Sequence, residues 1–142
     1  MTGALNRFLV AQDRHWDAIL AELRAGRKQS HWMWYVFPQL RGLGRSPTAE
    51  RYGLDGLAEA RAYLAHPVLG ARLRDCAGLL LAAEPDDPEA ILGPVDALKL
   101  RSSMTLFDQV EPGAIFRDVL RRFYAGSPDS RTLELLADGK RG

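Results

Sequence analysis

The chain has 142 residues, 46% hydrophobic and 26% charged, and its 19 basic and 18 acidic side chains leave a net charge of +1. This length and composition fit a single globular domain. The near-zero net charge does not indicate a nucleic-acid partner, and no apolar run approaches the ~20 residues that a membrane span needs.

Cysteine use indicates the cellular compartment. Cys76 is the only cysteine, so no intramolecular disulfide can form, and a lone buried thiol is typical of the reducing cytoplasm. The N-terminal segment soon becomes charged and does not resemble a secretory signal. We therefore predict a cytoplasmic protein without a membrane segment. We predict neither a cofactor nor a metal, because the histidines are scattered and neither HExxH nor CxxC occurs.

The N-terminal part of the chain predicts two helices. The first has an apolar stripe at helical spacing, formed by Trp16, Ile19, Leu20 and Leu23. Gly26 is predicted to end this helix, since glycine readily adopts the left-handed conformation found at helix ends. A short helix is predicted over residues 31–37, with Ser30 as its N-cap and Pro38 as its end.

Helical periodicity continues through the rest of the chain, and we find no alternating pattern typical of a half-buried strand. Further helical segments are predicted after Ser46-Pro47, over 57–64, over 68–84, between two turns in 84–94, over 94–107, from 115 to Gly126, and from a cap at Asp129 or Ser130 to Leu136. The expected fold is all-α, a compact single-domain bundle of six to eight short helices. The domain is predicted to span residues 1–138, with a frayed tail at 139–142.

The stretch SHWMWYVFPQ, residues 30–39, contains two of the three tryptophans. Helical spacing places His31, Trp34 and Tyr35 on one side, whereas Trp32, Met33 and Val36 are predicted to be core. Gln39 follows, and then a loop with glycines at 42 and 44. A planar ligand would need this combination of stacking rings, hydrogen-bonding groups and closely approaching backbone, although an aromatic core with a satisfied histidine explains it equally well.

A second informative stretch is GPVDALKLRSSMTLF, residues 93–107, in which Asp96, Lys99 and Ser103 share one strip of a helix between apolar flanks. The opposite arc, Arg101, Thr105 and Asp108, is predicted to face solvent. Two interpretations remain open. Asp96 and Lys99 form a structural i,i+3 ion pair, or the strip lines a cleft and offers an acceptor, a cation and a hydroxyl to a ligand.

Several blocks together resemble one bacterial family: GRKQSHWMWYVFPQLRGLGRS, EARAYLAHPVLGARL, DALKLRSSMTLF and GSPDSRTLELL. On these blocks the chain is identified as a member of the domain-of-unknown-function family 1810. The resemblance implies a small, all-helical, single-domain fold and no particular reaction. A more distant similarity, to the NADAR family acting on N-glycosidic bonds in ADP-ribose-related substrates, implies a ligand of that kind.

The functional hypothesis is a pocket where residues 30–39 meet residues 96–103. Its ligand would be a small planar anionic metabolite, such as a nucleotide or ADP-ribose derivative. Trp34, Tyr35, Gln39, Lys99 and Ser103 are the predicted ligand-binding residues. For hydrolysis of a glycosidic bond, Asp96 would be the general base or stabilise a cation, and His31 would be an acid or a hydrogen-bond donor. Asp96→Ala is expected to leave the fold intact. The alternative is a non-catalytic protein-interaction module whose aromatic cluster is structural core.

Overall fold

The computed structural model describes residues 2–141, except the side chains of residues 2–3 and 139–141. Within this range nine α-helices follow a 3-10 turn at Thr2–Leu5: α1 (Asn6–Ala25), α2 (Met33–Val36), α3 (Pro47–Arg51), α4 (Leu57–Ala65), α5 (Leu69–Ala82), α6 (Pro88–Leu92), α7 (Pro94–Val110), α8 (Ile115–Tyr124) and α9 (Ser130–Arg141). The prediction of an all-α fold is confirmed, with one helix more than the upper predicted number.

The last helix is longer than predicted. Helix α9 continues to Arg141, five residues beyond the helix end predicted at Leu136, and Gly142 lies outside the described residues. The boundary between a domain ending at 138 and a tail therefore stays a prediction. None of the described helices combines the length and hydrophobicity needed to cross a bilayer.

Several helix ends follow from local sequence as predicted. Gly26 adopts φ 68° after α1, and the amides of Gly26 and Arg27 bond back to carbonyls of the last turn. At the start of α3, the Ser46 hydroxyl accepts from the Ala49 amide at 3.1 Å, and Pro47 occupies the first turn. These ends are set by side chains within a few residues, which is why sequence alone located them.

The prediction for α2 was wrong in its length and its cap. The helix covers only Met33–Val36, and Ser30 does not cap it. Instead, the Ser30 amide and hydroxyl both donate to the Glu22 carboxylate of α1. The core assignment within this segment is confirmed, since Trp32, Met33 and Val36 are buried.

Helix α7 is central to the bundle, because it packs against α4, α6, α8 and α9. Its inner residues Leu100, Met104 and Phe107 are fully buried. Contacts on several sides also bury two residues of the arc that was predicted to face solvent: Thr105 is 1% exposed and Asp108 7%, whereas Arg101 is partly exposed. That prediction was wrong, because a wheel of α7 alone does not show the helices that cover its other face.

Each residue of this arc has a specific partner. The Thr105 hydroxyl accepts from the Asp129 amide at 2.8 Å. Asp108 forms an ion pair with Arg117 at 3.2 Å and accepts from the Gly113 amide. Arg101 donates to the Ser127 carbonyl and hydroxyl. Through these contacts the arc stabilises the packing of α8, of the start of α9 and of the segment between them against α7.

Candidate functional site

The segment after α1 meets α7 at one contact between Trp34 and Lys99. The Lys99 ammonium lies 4.2 Å from the centre of the Trp34 ring, within the range of a cation–π interaction. Both side chains are partly exposed. Residues about 65 positions apart thus lie side by side at the surface, in the region where the hypothesis placed a pocket.

Asp96 lies between two lysines. Its Oδ1 is 3.4 Å from Lys99 Nζ, so the i,i+3 ion pair considered from the sequence does form. Its Oδ2 is 2.8 Å from Nζ of Lys28, which follows α1. The Lys28 side chain is only 7% exposed, and a buried ammonium is stable only when it is paired with an opposite charge. Asp96 therefore has a structural role.

A small cavity of about 10 Å³ adjoins this contact, with a lining of Trp34, Phe37, Gln39, Ala49, Tyr52 and Lys99. This volume holds about one water molecule. The glycine loop packs closely against the cavity, since a β-carbon added at Gly44 would lie 2.7 Å from Cβ of Ala49 and 3.6 Å from Nε2 of Gln39. Glycine at this position is what allows the loop to lie against Ala49 of α3.

We call the set Lys28, Trp34, Gln39, Asp96 and Lys99 the polar–aromatic cluster. It offers a half-buried indole face, a carboxamide, and two cations that share one carboxylate. Two lysines against one aspartate leave a formal excess of one positive charge. A group of this kind favours a ligand that combines a flat ring with negative charge.

Three predicted site residues lie apart from the cluster or are covered. His31 is exposed, and its carbonyl accepts from the Tyr35 hydroxyl at 3.4 Å. Tyr35 is 7% exposed and packs against the Tyr52 ring, and burial followed by the neighbouring Tyr52 raises the pKa of Tyr35. Ser103 is fully buried, and its hydroxyl has no hydrogen-bond partner among the described residues. Such burial is at odds with a place on an open cleft wall.

Glu22 holds the segment that leads into the cluster. Its carboxylate accepts from the amides of Gln29 and Ser30, from the Ser30 hydroxyl and from Nε1 of Trp32, at 2.6 to 3.0 Å. Burial by itself would raise the pKa of Glu22, but these hydrogen bonds outweigh it and lower the pKa to about 2. Glu22 thereby fixes the path of the chain between α1 and α2.

Sequence reasoning missed Glu22, Lys28 and Tyr52. Lys28 and Glu22 stand in an ordinary charged stretch beside SHWMW, and only proximity to the aromatic run could have drawn attention to them. Tyr52 reaches the cavity from the end of α3, in a segment without any feature that suggests a site. A pattern within one helix does not reveal partners that come from another element.

The all-α fold and the quoted sequence blocks agree on the kind of protein. The chain belongs to the family described as "Protein of unknown function (DUF1810)", whose family model matches residues 2–136. The resemblance predicted from the sequence is thus confirmed.

The fold is similar to that in the crystal structure of a conserved hypothetical protein, Rv1873 from Mycobacterium tuberculosis. The TM-score is 0.91 and the identity 51%, covering 94% of this chain and 96% of that chain. No curated protein matches the chain.

Proposed function

We propose that the protein binds a small planar anionic metabolite, such as a nucleotide or an ADP-ribose derivative, at the polar–aromatic cluster in the cytoplasm. The observation that carries this proposal is the Lys99 ammonium over the Trp34 ring at 4.2 Å, beside the Gln39 carboxamide. These groups suit a ring that stacks on indole and an anion that pairs with a lysine.

The cavity of about 10 Å³ is too small for such a ligand, so the ligand must take the place of Lys99 on the indole face. Lys99 has a long flexible side chain that is 20% exposed, and its pair with Asp96 is partly solvated. Moving it costs the ion pair with Asp96 and the cation–π contact with Trp34, about 1–2 kcal/mol together. In the bound state the displaced ammonium would pair with the anionic group of the ligand.

Binding is better supported than hydrolysis of a glycosidic bond. As a base, Asp96 would have to leave one of the two lysines that its oxygens contact. His31, the predicted acid, is exposed, and no hydrogen bond or ion pair joins its side chain to the cluster among the described residues. Incubating the protein with ADP-ribose and nucleotides, with chromatography of the products, would detect any turnover.

The test of binding is a thermal-shift screen with AMP, ADP-ribose and NAD as probes. A ligand at a hundred times its Kd adds about 2.7 kcal/mol of stability, which for a chain of this size corresponds to roughly 5–11 °C in Tm. Lys99→Gln should weaken binding about tenfold, because it removes the charge-assisted contact. Arg131→Gln, an exposed charge removal on α9 outside the cluster, is the matched control and should bind as wild type.

The alternative, a protein-interaction module, has one observation in its favour. Val95 and Leu98 lie one turn apart on α7 and are 64% and 66% exposed, more than the other large apolar side chains of the described part. A screen without any shift across the probes, with equal behaviour of wild type and Lys99→Gln, would favour this alternative over ligand binding.

A further inference from the structure

A second cavity lies away from the polar–aromatic cluster. It is a half-open groove of about 660 Å³ between the start of α4, the Leu40–Leu54 bridge and α9. Sites for small molecules usually have volumes of about 300–1,000 Å³. The groove is therefore large enough for a ligand without any movement, unlike the cavity beside Trp34.

The groove has an apolar interior. Five of its ten lining residues are leucines from three parts of the chain, namely Leu40, Leu54, Leu57, Leu135 and Leu136. Leu40 and Leu54 are buried below it, whereas Leu135 and Leu136 remain partly exposed on its α9 side. At Gly56 an added β-carbon would meet no atom within 4 Å, so the space beside the start of α4 is open. An aliphatic ligand would gain free energy by covering the exposed parts of Leu57, Leu135 and Leu136.

The charged side chains that line the groove carry more positive than negative charge. Arg41 pairs with Asp55, whereas Arg61 has no carboxylate partner among the described side chains. The lining thus carries two arginines and one aspartate, a formal charge of +1.

We propose that this groove binds a small amphipathic anion, a molecule with one carboxylate or phosphate group on an aliphatic body. The aliphatic part lies on the leucines, and the anionic group pairs with Arg61. This site is separate from the polar–aromatic cluster, and its ligand need contain no aromatic ring.

The experiment titrates the full chain with decanoate and with decyl phosphate, both below their micelle concentrations, and follows leucine methyl resonances by NMR. Saturable shifts are expected for Leu40, Leu54 and Leu135. Decyltrimethylammonium, with the same chain length and opposite charge, should bind about tenfold more weakly. Absence of shifts at these methyls, or equal affinity for the cation, would overturn the proposal.

Two substitutions at exposed positions separately test the positive charge at the edge of the groove and the space inside it. Arg61→Glu should weaken binding of decanoate about tenfold, because it reverses the charge that meets the anion. Ala58→Trp should abolish saturable binding by filling part of the groove, with a Tm close to that of wild type. Arg14→Glu, an equal charge reversal at an exposed position outside the groove, is the control. Wild-type affinity in both Arg61→Glu and Ala58→Trp would refute the site.

A final experiment distinguishes binding of a single amphipathic molecule from binding to a membrane surface. Vesicles that contain phosphatidylglycerol should leave the same methyl resonances unchanged, since the groove is proposed to take up single molecules. Vesicle binding that Arg61→Glu removes would instead indicate a membrane-binding face and overturn the proposal.

Discussion

Glu22 fixes a piece of irregular chain through one carboxylate. The segment between α1 and α2 has few backbone partners of its own, and three of its donors, together with the Trp32 indole, meet at the oxygens of Glu22. The pKa of Glu22 falls from 4.5 to about 2, because these hydrogen bonds stabilise the charged form despite burial. Stability therefore depends on the charge of this single residue.

We predict that Glu22→Gln lowers the free energy of unfolding near neutral pH by about 1–2 kcal/mol, a figure reduced for the partial exposure of the carboxylate. Because the pKa is depressed in the folded state, this contribution is fully present above pH 4.5 and is lost as the pH falls towards about 2. Denaturant unfolding at a series of pH values measures it. Glu134→Gln, at an exposed position on α9, should show no comparable pH-dependent difference from wild type.

The structural role of Asp96 goes beyond the Lys99 pair considered from the sequence, because Asp96 also pairs with Lys28. We predict that Asp96→Ala destabilises the fold by about 2 kcal/mol, since it leaves the largely buried Lys28 ammonium without a counter-charge. This differs from the sequence-based expectation that the fold would be unaffected. The double variant Lys28→Met/Asp96→Ala should recover part of the loss, and a double-mutant cycle in urea measures the coupling. Additive losses would show that the pair contributes nothing.

At the scale of elements, the sequence predicted well where local chemistry decides. Gly26 and Ser46-Pro47 set the ends of their helices through contacts with neighbouring residues. It failed where a distant element decides: the Glu22 carboxylate of α1 accepts from Ser30, and the amide of Asp129, just before α9, donates to Thr105. Apolar periodicity identifies one buried face of a helix, but a helix surrounded on several sides also buries polar residues that have partners.

The last helix depends on its cap. Oδ2 of Asp129 accepts from the amide and the hydroxyl of Thr132, at 2.9 and 2.6 Å, and the Asp129 amide donates to Thr105 of α7. We predict that Asp129→Ala costs about 1 kcal/mol and raises hydrogen exchange in residues 130–138. Asp129→Asn should restore most of the protection, because asparagine caps helices nearly as well. Equal exchange in all three proteins would mean that tertiary packing alone holds α9.

At the scale of the whole molecule, the candidate cluster could be predicted only in part. The sequence predicted that two stretches with polar groups among apolar ones, residues 30–39 and 93–107, would meet. The structure does bring Trp34 of the first and Lys99 of the second together. Lys28 of the cluster and Tyr52 of the adjoining cavity come from segments whose sequence looks like ordinary surface. The groove between α4 and α9 was not foreseen at all, because its leucines belong to three separate segments and each resembles a core position.

The reactivity of the Cys76 thiol measures how cooperatively the helical bundle unfolds. Cys76 lies on α5, which packs against α1, α4 and α8, and it is fully buried. Burial, with a smaller effect of Asp75, raises the pKa of Cys76 to about 12, so the folded protein presents almost no thiolate at neutral pH. Labelling by a thiol reagent therefore requires the surrounding helices to open.

We predict that Cys76 in the native protein reacts about 10³-fold or more slowly than in the chain unfolded by guanidinium chloride, in keeping with the usual stability of a domain. With rising denaturant the labelling rate should follow the free energy of global unfolding, because no smaller opening exposes a residue enclosed by three helices. Absorbance of the released thiol product measures the rate, and Cys76→Ala gives the background. Rapid labelling in native buffer, or a rate independent of denaturant, would show that α5 opens locally.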